Sequence, residues 1–110
     1  MFYIDKTTHK IIITKGDNAE IIVKVKDING VERGIYADDV LTLTVRKNAD
    51  APIAAITKTA VDGVFSLVPE DTKSLAVGSY VYDVQLNTFT GKVYTIIPKS
   101  SFIIKEEITR

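Results

Sequence analysis

The chain has 110 residues, about one domain's worth of length, and no cysteine, which excludes disulfides and thiolate metal sites. Fourteen basic residues balance fourteen acidic ones, giving a formal net charge of zero. That balance excludes the broad cationic footprint expected of a nucleic-acid-binding domain. Hydrophobic residues make up 45% of the chain, enough for one core, yet the apolar runs are short, such as Ile11-Ile12-Ile13, and none would span a membrane. The amino terminus, Met1-Phe2-Tyr3-Ile4-Asp5-Lys6, lacks the apolar stretch and cleavage site of a signal peptide. Synthesis in the cytoplasm, with retention there or release by lysis rather than signal-directed secretion, is the expectation.

Turn residues recur at short intervals, and the runs between them are rich in Ile, Val, Thr and Tyr, the pattern of an all-β sandwich or barrel. The first strand is predicted over Lys10 to Thr14, followed by a turn at Lys15-Gly16-Asp17. The second covers Ala19 to Lys26, with Ala19, Ile21, Val23 and Val25 inward and Glu20, Lys24 and Lys26 in water. Ile22 breaks this alternation on the outer face and marks a loop-covered position or a contact surface. Asp27-Ile28-Asn29-Gly30 reads as a hairpin-type turn, and Val31 to Asp39 as irregular chain around Ile35-Tyr36-Ala37. Leu41, Leu43 and Val45 alternate with Thr42, Thr44 and Arg46, as in a half-buried strand.

Pro52 opens a segment whose residues Ile53 to Thr59 are predicted as an edge strand. Asp62-Gly63 turns the chain into Val64 to Val68, with Phe65 and Leu67 on one face. A single helical turn follows near 70–75, with Asp71 as its cap and Leu75 as its apolar anchor. Beyond Gly78, residues Tyr80, Tyr82, Val84 and Leu86 share one face, and this strand should pair with Lys92 to Ile97 across Asn87 to Gly91. Pro98 is expected to interrupt the last strand, which resumes over Ser101 to Ile104. A helical turn leading into a tyrosine-bearing strand is the corner of an immunoglobulin-like sandwich, where the hydroxyl of Tyr80 or Tyr82 would be set against a corner backbone group. The predicted fold is therefore an immunoglobulin-like antiparallel sandwich of seven or eight strands, in one domain over residues 1–110.

Candidate chemistry is sparse. His9 is the one histidine; it lies in a polar stretch with no nucleophile motif and reads as a surface residue. The acidic pairs Asp38-Asp39, Glu70-Asp71 and Glu106-Glu107 read as turns, caps and solvated faces. On a strand, adjacent carboxylates point to opposite faces and share a ligand poorly. Lys24 and Lys26, if beside Arg46, would offer a phosphate or an acidic partner a cationic face; as outer-face lysines they discourage strand aggregation. Tyr80 and Tyr82 belong to the core, whereas Tyr3, Tyr36, Phe89 and Tyr94 are candidates for exposed aromatics at a contact. No catalytic residue, metal site or cofactor is expected; the interface candidates are Tyr36, Phe89, Tyr94 and Ile22.

The order of these pieces carries a resemblance. Ile12-Ile13-Thr14-Lys15-Gly16-Asp17-Asn18-Ala19, Asp27-Ile28-Asn29-Gly30, Leu41 to Lys47, and Gly78-Ser79-Tyr80-Val81-Tyr82-Asp83-Val84 follow one another at family spacing. With Gly91 to Ile97 and Phe102-Ile103-Ile104, they resemble the amino-terminal immunoglobulin-like domain of siphophage baseplate upper proteins and related phage and prophage tail domains. The resemblance implies a non-enzymatic structural part of a virion tail or baseplate, whose partners are other tail proteins or further copies of itself. It implies neither nucleic-acid nor membrane binding. Longer members continue into a helical linker and a distal domain; here the sequence stops at Arg110, which leaves direct attachment of receptor-binding proteins open. The alternative is a carbohydrate-binding module gripping a cell surface through its exposed aromatics.

Overall fold

The computed structural model describes residues 8–25, 39–61 and 63–106, and the backbone course of 2–4. The expected turn at Asp27-Ile28-Asn29-Gly30, the irregular stretch through Tyr36 and Asp38, Lys26, Asp62, Glu107 and the side chain of Tyr3 lie outside those residues. The described chain forms an all-β sandwich with one short helix. Its strands are β1 (Phe2–Ile4), β2 (Ile11–Thr14), β3 (Ala19–Ile22), β4 (Val40–Arg46), β5 (Ile56–Thr59), β6 (Val64–Leu67), β7 (Gly78–Asn87) and β8 (Val93–Lys105). Helix α1 (Pro69–Lys73) sits between β6 and β7.

Alternating sequence becomes alternating burial. Leu41, Leu43 and Val45 of β4 and Tyr80, Tyr82, Val84 and Leu86 of β7 are buried, while the intervening residues face outward. Ala19, Ile21, Val23 and Val25 are likewise buried, although the strand itself ends at Ile22. These residues close on Phe65, Leu67, Ile11, Ile13, Phe102 and Ile104 to make one core between two sheets. The larger sheet has the order β1-β2-β8-β7-β4-β5; the smaller pairs β3 with β6. The run β8-β7-β4-β5 is the G-F-C-C′ order of an immunoglobulin-like sheet, and β3-β6 is its B-E pair. Every pairing is antiparallel except β2 with β8, which runs parallel from Ile11↔Phe102 to Thr14↔Lys105. Periodicity in the sequence holds no signal for that one parallel neighbour.

The corner before β7 is built as expected. The Tyr80 hydroxyl donates to the Ala76 carbonyl at 2.7 Å, holding the link between α1 and β7. Asp71 acts differently from the cap the sequence suggests. Val68 is the N-cap residue, and Asp71, at the third helical position, accepts the Val68 backbone N–H at 2.8 Å. Asp71 also pairs with Lys58 of β5 at 2.9 Å, so one carboxylate both closes the helix start and ties it to the larger sheet. Thr72 is fully buried, and its hydroxyl accepts the Gly16 N–H at 2.9 Å, fastening α1 to the turn between β2 and β3.

Two expectations about strands need correction. Ile53 is 80% exposed and precedes the edge strand, which begins at Ile56 and is β5. Pro98 does not interrupt the last strand: β8 runs unbroken from Val93 to Lys105. The register explains why. Tyr82 pairs with Ser100 and Val84 with Ile97, so Pro98 and Lys99 together stand opposite Asp83; the next shift inserts Ile96 between Ile97 and Thr95. Both extra residues lie on β8. A bulge releases Pro98 from the ladder, where its missing N–H costs nothing. It also reverses the strand's alternation, so Ile97 and Phe102, an odd number of residues apart, are both buried.

A candidate docking surface at the open strand edges

The smaller sheet leaves part of the larger one uncovered. Among the described residues β3 pairs with β6 alone, and β2 covers β8 only over Phe102 to Lys105. Over residues 93–101, β8 has β7 on one side and no described strand on the other. A groove of about 310 Å³ runs where these two open edges approach, lined by His9, Ile21, Ile22, Val23, Lys24, Ile96 and Ile97. Its floor is core: Ile21, Val23 and Ile97 are buried. Its rim is Ile22 at 69% exposure, the exposed Lys24, and the half-buried Ile96 and His9.

His9 marks the place where β2 stops covering β8. It is half-buried rather than free on the surface, and its backbone lies in the left-handed region at φ 62°. Its role is structural: the Tyr82 hydroxyl donates to the His9 carbonyl, fixing the approach to β2 from 73 residues away. The Tyr82 ring meets Phe102 edge to face with centroids 6.0 Å apart. Burial pushes the Tyr82 phenol from its ordinary 10.0 up to about 12. The folded state therefore favours the neutral phenol. Its contribution is complete below pH 10 and is lost as pH rises toward 12. We expect denaturant titrations to lose up to about 2 kcal/mol over that window, and Tyr82→Phe to remove this component of the slope.

The interface candidates separate in space. Ile22 lines the groove. Tyr94 lies opposite Leu86 in the ladder and so shares the inner face with it, yet it is 49% exposed; it is outside the groove's lining, two residues along β8 from Ile96 and next to the exposed Val93. Phe89 is 66% exposed at the tip of the β7–β8 hairpin, a turn closed by Thr88 and Gly91. Tyr36 lies outside the described residues. The sequence reading missed Ile96, whose doublet with Ile97 before a proline was the available sign of a bulge.

Lys24 does not lie beside Arg46: Lys24 is exposed next to the groove after β3, whereas Arg46 points outward from β4 and lines a different cavity. There Arg46 donates to the Ala51 carbonyl at 3.0 Å and borders a shallow cavity of about 140 Å³ with Thr44, Asp83 and Lys99. Lys47 lies over the Tyr80 ring, 4.7 Å from its centroid. Among the described residues no group of three or more His, Asp or Glu side chains is placed to hold a metal ion.

No protein-family model matches the chain, and no curated protein matches it. Among solved structures it is similar to CopC from Methylosinus trichosporium OB3b, at 14% identity and a TM-score of 0.41. That similarity covers 69% of this chain and 76% of the other.

Proposed function

We propose that this protein is a non-enzymatic structural module of a phage or prophage tail or baseplate, and that it works by docking onto neighbouring tail proteins. The observation that carries the docking reading is the groove where β3 and β8 approach, lined by Ile22 and Ile96, with the exposed Tyr94 two residues further along β8. A large aliphatic side chain held in water on a strand face contributes nothing to the fold's own core; covered by a partner, it contributes about 1.5–3 kcal/mol. The order of motifs from Ile12 to Ile104 supports the placement in a tail. Repetition around a tail axis would multiply weak single contacts through effective concentration. The mechanism is placement by a rigid sandwich, with no reaction step.

Antibody raised against this chain tests the location on tail particles purified from the strain that encodes it. Labelling at the tail or baseplate is the expected result. Complete, infective tails that carry none of the protein would contradict the reading.

A further inference from the structure

We propose that the open edge of β8 over Val93–Ile97 receives an extended, acidic segment of a partner as an added strand, with the segment's apolar side chains entering the groove beside Ile22 and Ile96. This deepens the docking reading above and rests on it. Two observations carry it. First, the backbone of β8 from 93 to 97 is extended, bonded to β7 on one side, and has no described strand on the other. Such an edge is a template for main-chain hydrogen bonds. Pro98 supplies no N–H and sits in a bulge, so it sets one end of the template; the hairpin turn at Gly91 sets the other.

Second, among the described residues the charges beside this edge have one sign. Lys24 stands on the groove's rim and Lys92 is exposed just before β8, while no carboxylate of the described residues lines the groove. Glu20, two positions before Ile22, faces outward from β3 opposite Ser66 and is outside the lining. Lys99, beyond the proline, borders the separate outer cavity together with Asp83. An extended segment that alternates apolar residues with glutamate or aspartate satisfies the edge, the groove and the lysines together.

The test uses two nine-residue peptides on the intact chain, one alternating valine with glutamate and one alternating valine with lysine. Amide exchange and chemical shifts are followed by NMR at low salt. The acidic peptide is expected to slow exchange of amides within Val93–Ile97 at least tenfold and to shift Ile22 and Ile96 methyls; the lysine peptide is expected to do neither. The double reversal Lys24→Glu/Lys92→Glu, at exposed positions outside the core, is expected to exchange the two peptides' behaviour. Protection by both peptides equally, by neither, or at residues elsewhere would overturn the proposal. Failure here is distinguishable from failure of the docking reading: if Ile22→Asp still abolishes attachment to tail particles while neither peptide binds, the surface stands and strand addition falls.

Discussion

Replacing Phe102 by alanine is expected to cost about 3–5 kcal/mol, the range for removing a large aromatic from a packed core. Phe102 is fully buried and occupies the centre of the larger sheet, on β8 between β2 and β7. It pairs with Ile11 on one side and Tyr80 on the other, and its ring takes the edge-to-face contact with Tyr82. Alanine therefore leaves a void bounded by three strands whose backbone ladders hold them apart, so little collapse can fill it. It also strips the Tyr82 ring of its neighbour and loosens the bond from its hydroxyl to the His9 carbonyl. Domains of this size are stable by about 5–15 kcal/mol, so the variant should lie close to unfolding at 25 °C. Urea titration followed by tyrosine fluorescence and far-ultraviolet circular dichroism measures it. A loss below about 1 kcal/mol, as for a surface substitution, would mean that β2, β7 and β8 do not meet around this ring.

Deleting Lys99 should cost about 1–3 kcal/mol, the penalty of a donor lost from the ladder, whereas substitution of that exposed side chain should cost little. With Pro98 and Lys99 opposite Asp83, Ile97 and Phe102 both face the core despite their odd spacing. With Lys99 gone their spacing becomes even, so a regular ladder keeps both inward and the core faces are preserved. The cost of the deletion is that Pro98 enters the ladder opposite Asp83, where its missing N–H leaves a β7 carbonyl without its donor. Lys99→Ala, which keeps the bulge, is expected to stay within about 0.5 kcal/mol of the parent. Equal stability of the deletion and the alanine variant would show that the bulge is dispensable.

Much of the sandwich was legible because its strands are half-buried and so alternate. Leu41-Leu43-Val45, Ala19-Ile21-Val23-Val25 and Tyr80-Tyr82-Val84-Leu86 announce their inner faces in the sequence, and the helical turn before Gly78 announces the tyrosine corner. What alternation cannot supply is the neighbour. A period of two tells which side of a strand is apolar; it is silent on which strand lies beside it and in which direction. The parallel pairing of β2 with β8 and, among the described residues, the pairing of β3 with β6 alone and the unpaired edge of β8 over 93–101 are all facts about neighbours.

The same limit explains the misplacement of Lys24 beside Arg46. Both face outward, but Arg46 does so from β4 of the larger sheet and Lys24 from the segment that follows β3 of the smaller one. Asp71 was recognisable as a helix-start residue from composition, while its position as third residue rather than cap depended on Val68 preceding Pro69 in extended conformation. Ile22 was legible as an anomaly, since an isoleucine among Glu20 and Lys24 departs from the face it occupies. That it belongs with Ile96 depended on the bulges in β8, which alternation alone does not reveal.

The claim that the β3–β8 groove is the assembly surface is tested most directly by co-sedimentation with tail particles that lack this protein, comparing the parent chain with Ile22→Asp/Tyr94→Asp. The account predicts that the parent pellets with the particles and that the double variant stays in the supernatant. Both side chains already stand in water, so the variant should melt within a few degrees of the parent. Equal pelleting of the two chains, with folding intact, would contradict it.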